Sequence, residues 1–356
     1  MTFLPRARYA AEVYEAAAAQ RDTPSHPCME GRHLMTQTVQ RSTKAATRPP
    51  SFFFNGHVPR RRALIVTLSA LFGFALTVVW SAKFVDQTIG DNVANTLLGH
   101  PAKETPIAGA LAGLAFALAT GIAGTFTACN VAVFSALAPL TGAGSTSRRG
   151  RMAAALRPVG LLALGAVIVS ALYGTVVGLV GAGMPQFEQG QGGGGFSGRL
   201  VQAMVVFGLI GLVMTYLGLA ALGVVRDPLA NVSRVLPSAP LLFMGGLIGA
   251  FLIGRPFPLF RQLFQDAAES RNSLFAALEF ALQSLGNITV MATVFLIVTG
   301  LFGDRIHRAL TKRPGRASAL MAVAFLAAGI FMILYWDVRI LAARDLIWYP
   351  MAPWVA

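Results

Sequence analysis

The stretch at residues 106–140, PIAGALAGLAFALATGIAGTFTACNVAVFSALAPL, is apolar almost throughout but carries a polar, glycine-spaced break at residues 121–130. The hydrocarbon core of a bilayer is about 30 Å thick, and about 20 helical residues cross it. A straight helix of 35 residues would overshoot at about 1.5 Å per residue. We therefore predict two half-helices around a kink or unwound turn. Irregular backbone at membrane depth is tolerated only where it faces protein or a water-filled cavity, so this break is the first candidate site.

The composition of the whole chain indicates a membrane protein. Hydrophobic residues make up 55% and charged residues 12%, and the mean hydropathy is +0.61. Soluble domains carry about 25% charged residues. Half that share, with apolar runs of 20 or more residues, is typical of a polytopic protein whose partner is the lipid bilayer. The net charge of +14 lies in the tail and loops, where the positive-inside rule accounts for it, so nucleic acid is not an expected partner.

Hydropathy predicts an all-α integral membrane protein with seven spans. These spans are residues 63–82, 106–140, 159–182, 200–225, 241–260, 274–302 and 317–341. Residues 1–62 are polar and basic and are predicted to form a disordered cytoplasmic tail. Residues 63–105 would hold the first span and an external loop, and residues 342–356 an external tail.

The distribution of lysine and arginine predicts the orientation. The tail and the loops after the second, fourth and sixth spans carry 21 of these residues, and the remaining segments carry 8. Because positive charge accumulates on the cytoplasmic side, we expect a cytoplasmic N-terminus and an external C-terminus in the plasma (inner) membrane.

Two groups of three spans, at residues 106–225 and 240–341, look like copies of each other. The third and sixth spans share Gly-Leu-x-Gly at residues 178–181 and 300–303, an offset of 122, and the fourth and seventh share Phe, Gly and Met at an offset of 118. That second match comprises Phe207, Gly211 and Met214 against Phe325, Gly329 and Met332. Three spans are an odd number, so the copies would have opposite orientations. This is the 3+3 inverted repeat of many transporters, here with one extra N-terminal span.

The repeat predicts a second break, at Gly-Arg-Pro-Phe-Pro, residues 254–258, opposite the first. Two prolines remove two backbone donors and bend a helix. Interrupted helices at corresponding positions of two halves indicate a midplane binding site. The alternative is two kinked helices that pack tightly through glycine. The candidate solute-binding residues are Gly121, Gly124, Thr125, Thr127, Asn130, Gly254, Arg255, Pro256, Pro258 and Asn287.

Two side chains at the breaks could carry chemistry. Cys129 could be a redox nucleophile, a soft metal ligand or a small packing residue. Arg255 could hold an anion, or it could extend to the outer interface. Asn287 and Thr289 are the better buried polar candidates in the sixth span, whereas Glu279 and Asp337, near outer ends of spans, are expected at the interface. Every histidine lies in the tail or a loop, so we expect no metal site and no cofactor.

The pattern resembles the DsbD / cytochrome c biogenesis (CcdA-type) transmembrane family over residues 106–341. Thr127-Ala128-Cys129 stands where that family has Ser/Thr-Pro-Cys, and residues 254–257, Gly-Arg-Pro-Phe, stand where it has Gly-x-x-Pro-Cys. The resemblance implies two inverted three-helix repeats and transfer of reducing equivalents from a thioredoxin-like partner. Phe257 replaces the second cysteine, and one thiol cannot form the intramolecular disulfide of a two-electron relay. Cys129 is the one redox residue that the resemblance carries over.

Three functions follow from these features. The first is a transporter-like protein that moves a small solute, for example an anion, through a site between the broken helices. The second is a thiol-redox membrane protein, an oxidoreductase-like enzyme in which Cys129 forms a mixed disulfide with a partner. The third is a structural membrane subunit whose breaks serve packing alone.

Overall fold

The computed structural model describes residues 51–354 except 55, 60, 82, 126–127, 139–146, 189–195, 256–257 and 313–314. Every regular element in these described ranges is helical. Most of the predicted tail and the glycine-rich loop at residues 189–195 lie outside the described residues.

The helices alternate between long apolar rods and short connecting pieces. In chain order they are α1 (Arg62–Val79), α2 (Asp91–Leu98), α3 (Ala110–Ala123), α4 (Ala128–Ala136), α5 (Arg148–Val180), α6 (Gly198–Ala221), α7 (Ala230–Val235), α8 (Ala239–Gly254), α9 (Pro258–Glu269), α10 (Ser273–Thr311), α11 (Arg316–Ile333) and α12 (Arg339–Ala342). Two π-helical segments, Lys83–Gly90 and Leu334–Val338, precede α2 and α12. Two 3₁₀ turns, Gly181–Gly183 and Pro185–Phe187, follow α5.

Among the described residues, five helices are long and apolar enough to cross a membrane, or six if the bent pair α8 and α9 is one span. The five are α1, α5, α6, α10 and the rod that starts with α11. The predicted second span is not one crossing helix, because α3 has 14 residues and α4 has 9. Each is shorter than the roughly 20 residues that a crossing needs. The break expected from the sequence is therefore present, and it divides the stretch.

Two helices are much longer than their apolar cores. Helix α5 has 33 residues and α10 has 39, whereas hydropathy predicted residues 159–182 and 274–302. A side-chain cap at the N-terminus of each helix satisfies some of the first backbone donors, and in α5 this cap lies at the polar end, residues 148–158. Ser147 accepts a hydrogen bond from the Gly150 N–H, and Asn272 accepts from the N–H groups of Leu274 and Phe275. Hydropathy locates the apolar part of a rod and not its ends.

The predicted external loop after the first span is partly helical. Its residues form the π-helical segment Lys83–Gly90 and helix α2. Helix α2 ends at Gly99, whose φ of 74° lies in the left-handed region that glycine adopts easily. The Asn95 side chain then accepts a hydrogen bond from the Ala102 N–H. Short polar helices such as these give no hydropathy signal, so the sequence did not indicate them.

The long helices form one packed bundle. Helix α10 packs on α5 and α3, α5 also packs on α8, and α6 packs on α11. Glycine allows the backbones to touch: a Cβ on Gly245 of α8 would lie 2.0 Å from the Leu162 carbonyl oxygen of α5. On the other side of the bundle, a Cβ on Gly121 of α3 would lie 2.1 Å from the Gln283 carbonyl oxygen of α10. Small residues at such crossings permit the close approach that drives helix association in lipid.

The residue matches behind the predicted repeat can be compared with the contacts between helices. Gly211 and Gly329 meet each other: a Cβ on either would lie 2.8 Å or 2.6 Å from the other's carbonyl oxygen. For the match with the offset of 122, a Cβ on Gly178 of α5 would lie 2.8 Å from the Ser273 Cα at the start of α10, and Arg151 near the start of α5 donates to the Gly300 carbonyl of α10. The same offset relates Arg151 to Ser273, so the two contacts correspond to each other. The repeat itself stays a prediction.

Candidate functional site

The first break separates α3, which ends at Ala123, from α4, which begins at Ala128. The Gly124 N–H donates to the Thr120 and Gly121 carbonyls at 2.9 and 3.1 Å. Thr125 is fully buried, and its hydroxyl group donates to the Ile122 carbonyl at 2.8 Å. These bonds satisfy part of the backbone that a helix end leaves without partners. The end of α3 is therefore closed by groups from its own last turn.

The second break separates α8, which ends at Gly254, from α9, which begins at Pro258, and the two helix axes differ by 87°. Arg255 has an extended backbone, with φ of −79° and ψ of 111°. Proline at the first helical position suits the start of α9, because the N–H that it lacks has no partner there. Both predicted breaks are thus present in the structure.

Arg255 joins the two breaks. Its Nη1 donates to the Gly124 carbonyl at 3.2 Å, and its guanidinium carbon lies 4.2 Å from the centre of the Phe260 ring. The residue is only 9% exposed. A Cβ on Gly124 would lie 2.6 Å from Nη1, so glycine leaves the space that the arginine occupies. Of the two alternatives for Arg255, extension to the interface is wrong, and the side chain lies between the broken helices.

Two amide side chains meet beside the first break. Asn130 of α4 is fully buried and donates to the Thr125 carbonyl at 2.8 Å and to the Asn287 Oδ1 at 3.2 Å. Asn287 lies on α10 and is also buried. Three predicted site residues are therefore together in the structure. Another polar candidate, Thr289, is exposed and donates to the Leu285 carbonyl of its own helix, so the prediction that it is buried was wrong.

Two of the predicted glycines support the site and do not line it. Gly121 faces the α10 backbone, and a Cβ on Gly254 would lie 3.0 Å from the Phe207 ring of α6. Thr127 and Pro256 lie outside the described residues, and so do the side chains of Cys129 and Pro258. The backbone of Cys129 is in the first turn of α4, directly before Asn130.

Sequence reasoning missed Gln202 of α6. Its Nε2 donates to the Ile253 carbonyl at 2.7 Å and to the Tyr173 hydroxyl oxygen at 2.9 Å. The Ile253 carbonyl is one of the acceptors at the C-terminal end of α8 that no further helical turn satisfies. The Tyr173 hydroxyl group donates in turn to Gln186. The available signal was a glutamine inside an otherwise apolar span, where an amide needs a partner.

The site combines a buried cation with hydrogen-bonding amides. A guanidinium group presents five N–H donors in a planar fork that suits carboxylate and other oxyanions. Arginine at membrane depth is costly, and such residues commonly mark ion or substrate pathways. The Arg255 and Asn130 contacts lie on adjacent carbonyls, those of Gly124 and Thr125, so charge and amide converge on one turn.

No protein-family model, curated protein or solved structure matches this chain. The resemblance to the DsbD / cytochrome c biogenesis family therefore depends on the residues quoted for it, and it stays a prediction.

Proposed function

We propose that the protein is a membrane transporter that binds a small anionic solute between its two broken helices. The observation that carries this proposal is the hydrogen bond from Arg255 in the second break to the Gly124 carbonyl in the first. It brings a buried positive charge to the point where both helices lose their regular backbone. In transporters with discontinuous helices, substrate sites form at such points.

The helix pairing supports an inverted repeat. The broken helix α3 packs on α10, the middle helix of the second group, and the broken helix α8 packs on α5, the middle helix of the first. A twofold axis in the membrane plane would produce this exchange. It would also bring residues near the axis against their own counterparts, as Gly211 and Gly329 are. Rocking of two such halves exposes a central site to each side in turn.

The contacts of Arg255 suggest how binding is linked to movement. In the structure, the guanidinium group bonds the Gly124 carbonyl and lies over Phe260. An anion is a stronger acceptor than a neutral carbonyl, because charge-assisted hydrogen bonds are shorter and stronger. Solute binding therefore draws Arg255 from Gly124 and releases one contact that holds the two breaks together.

Solute uptake in proteoliposomes tests this proposal. The probes are labelled sulfate, phosphate and a set of small carboxylates, and the variants are Arg255→Ala and Arg255→Lys. We expect at least one probe to be taken up, and Arg255→Ala to reduce that uptake at least tenfold. Arg255→Lys keeps the positive charge but loses the planar set of guanidinium donors, so its uptake should lie between that of Arg255→Ala and that of the unmodified protein.

Arg261→Ala is the matched control, because Arg261 is a half-buried arginine on α9, close to the same break. It should leave uptake within about twofold of the unmodified protein, as surface-type substitutions usually do. Uptake of no probe, or equal losses in the Arg255 and Arg261 variants, would contradict the proposal.

The thiol-redox function is the second candidate. The observation that favours it is the position of Cys129 in the first turn of α4, directly after the break that Arg255 contacts. A reactive cysteine needs access and a positively charged neighbourhood, and Arg255 contacts the same break through the Gly124 carbonyl.

A further inference from the structure

Glu279 is the most completely buried acid in the described part of the chain. It lies in the second turn of α10 and has 0% exposure, so its expected position at the membrane interface is wrong. No described residue donates a hydrogen bond to either of its carboxyl oxygens. An ionised carboxylate in that setting would lose its hydration without compensation, which is among the most costly arrangements in a protein.

A second carboxyl group lies beside it. A Cβ on Gly113 of α3 would lie 2.5 Å from Glu279 Oε1 and 2.8 Å from Asp266 Oδ2 of α9. Both acids therefore point at one spot on α3, which the absence of a side chain at residue 113 leaves open. Two neighbouring carboxylates repel each other, and one proton shared between them removes the repulsion and supplies the missing donor.

Other charged groups do not neutralise the pair. Helix α3 carries no titratable side chain, and α5 contributes Tyr173, whose hydroxyl group bonds glutamines. On the segment before α3, Lys103 forms an ion pair with Asp91. No lysine or arginine among the described residues forms an ion pair with Glu279 or Asp266. A proton is therefore the available source of positive charge.

A row of buried polar side chains leads from this pair to the first break. Glu279, Gln283 and Asn287 follow at intervals of four residues, so they lie on one face of α10. All three are buried, and the backbone at Gln283 and Asn287 faces Gly121 of α3. Eight residues of helix span about 12 Å. The row ends where Asn287 accepts a hydrogen bond from Asn130.

We propose that the carboxyl pair of Glu279 and Asp266 is a proton-binding site, and that the polar row on α10 connects it to the solute site at the first break. This inference rests on the proposed function, since it identifies the coupling ion of the same transporter. A hard metal cation is the less suitable occupant, because such ions take six or more oxygen ligands. The described residues bring no group of three or more His, Cys, Asp or Glu side chains together.

Labelling with dicyclohexylcarbodiimide tests the site directly, because the reagent modifies protonated carboxyl groups in apolar surroundings. The full-length protein in liposomes is labelled across a range of pH, and the modified residue is located by peptide mass spectrometry. We expect Glu279 to be labelled in the unmodified protein, and its labelling to fall at least fivefold as the pH rises. Glu279→Gln should remove this label.

Glu269→Gln is the matched control, because Glu269 is an exposed acid on α9. It should leave the labelling of Glu279 unchanged. Absence of label at Glu279 at every pH would overturn the proposal. Labelling that does not change with pH would overturn it too, because it indicates a carboxyl group that does not exchange its proton with the solvent. If NaCl but not KCl protected Glu279 from the label, the site would bind a sodium ion and not a proton, and this result would also overturn the proposal. None of these results depends on anion uptake. The proton site can therefore be wrong while the solute site is right, and the solute site can be wrong while the proton site is right.

Discussion

The two helix breaks are closed in different ways. The first uses mainly groups close in the chain: Gly124 and Thr125 bond the last turn of α3, and Asn130 covers the Thr125 carbonyl five residues back, while Arg255 bonds the Gly124 carbonyl. The second depends on another helix, because Gln202 of α6 bonds the Ile253 carbonyl. Thr125 and Asn130 are fully buried, whereas Gln202 is half-buried. We infer that the first break is the fixed part of the site and the second is the part able to move.

Gly121→Ala should have the largest effect, because the first break depends on direct backbone contact. The new methyl group would lie 2.1 Å from the Gln283 carbonyl oxygen, and backbone cannot turn aside as a side chain can. We expect the free energy of unfolding to fall by about 3 kcal/mol, measured by reversible unfolding in mixed micelles.

Gly160→Ala is the control for that change. Gly160 lies inside α5 with nothing within 4 Å of an added Cβ. Alanine there should leave stability unchanged or raise it by up to about 1 kcal/mol, since glycine is unfavourable in a helix interior. Equal losses in both variants would show that the contact of α3 with α10 is not tight.

Asn130→Ala should cause the second largest loss of stability. It removes the donor to the Thr125 carbonyl and to Asn287 at a fully buried position. Leaving a buried polar group without its partner costs about 1–3 kcal/mol. Hydrogen exchange should become faster in the last turn of α3 and stay unchanged in the last turn of α8. The reverse pattern would contradict a first break that is closed by its own residues.

Gln202→Ala should have a smaller effect on stability, about 1 kcal/mol, because water can reach a half-buried amide and replace it in part. Exchange should accelerate in the last turn of α8 and not in α3. Gln265→Ala on the exposed side of α9 is the control and should change neither quantity. If Gln202→Ala reduced stability more than Asn130→Ala, the second break and not the first would be the fixed part of the site.

Cys129→Ser should have the smallest effect on solute uptake, within about twofold, since it keeps a small side chain at the start of α4. Proteoliposome uptake measures it beside Arg255→Ala. Loss of activity with Cys129→Ser, together with a trapped mixed disulfide to a thioredoxin-like protein, would instead favour the redox function. Full activity of both variants would favour the structural subunit.

Local features predicted more of the fold than of the site. The polar, glycine-spaced run at residues 121–130 and the prolines at residues 256 and 258 are local signals in the sequence, so both breaks could be located from the chain alone. Arg255 and Asn287 were identified as candidates because polar groups in apolar spans need partners. The partners themselves could not be predicted, and for that reason Glu279 was expected at the interface and Thr289 in the core.

The amino-acid sequence by itself determined an all-helical chain with long apolar rods and two interruptions, because hydropathy, glycine and proline act over a few adjacent residues. Only the tertiary structure decided that Arg255 reaches Gly124, that Gln202 covers Ile253 and that Glu279 is enclosed beside Asp266. Each of these contacts joins residues from different helices. The burial of a side chain depends on which helix covers it, and a pattern read along one helix does not contain that information.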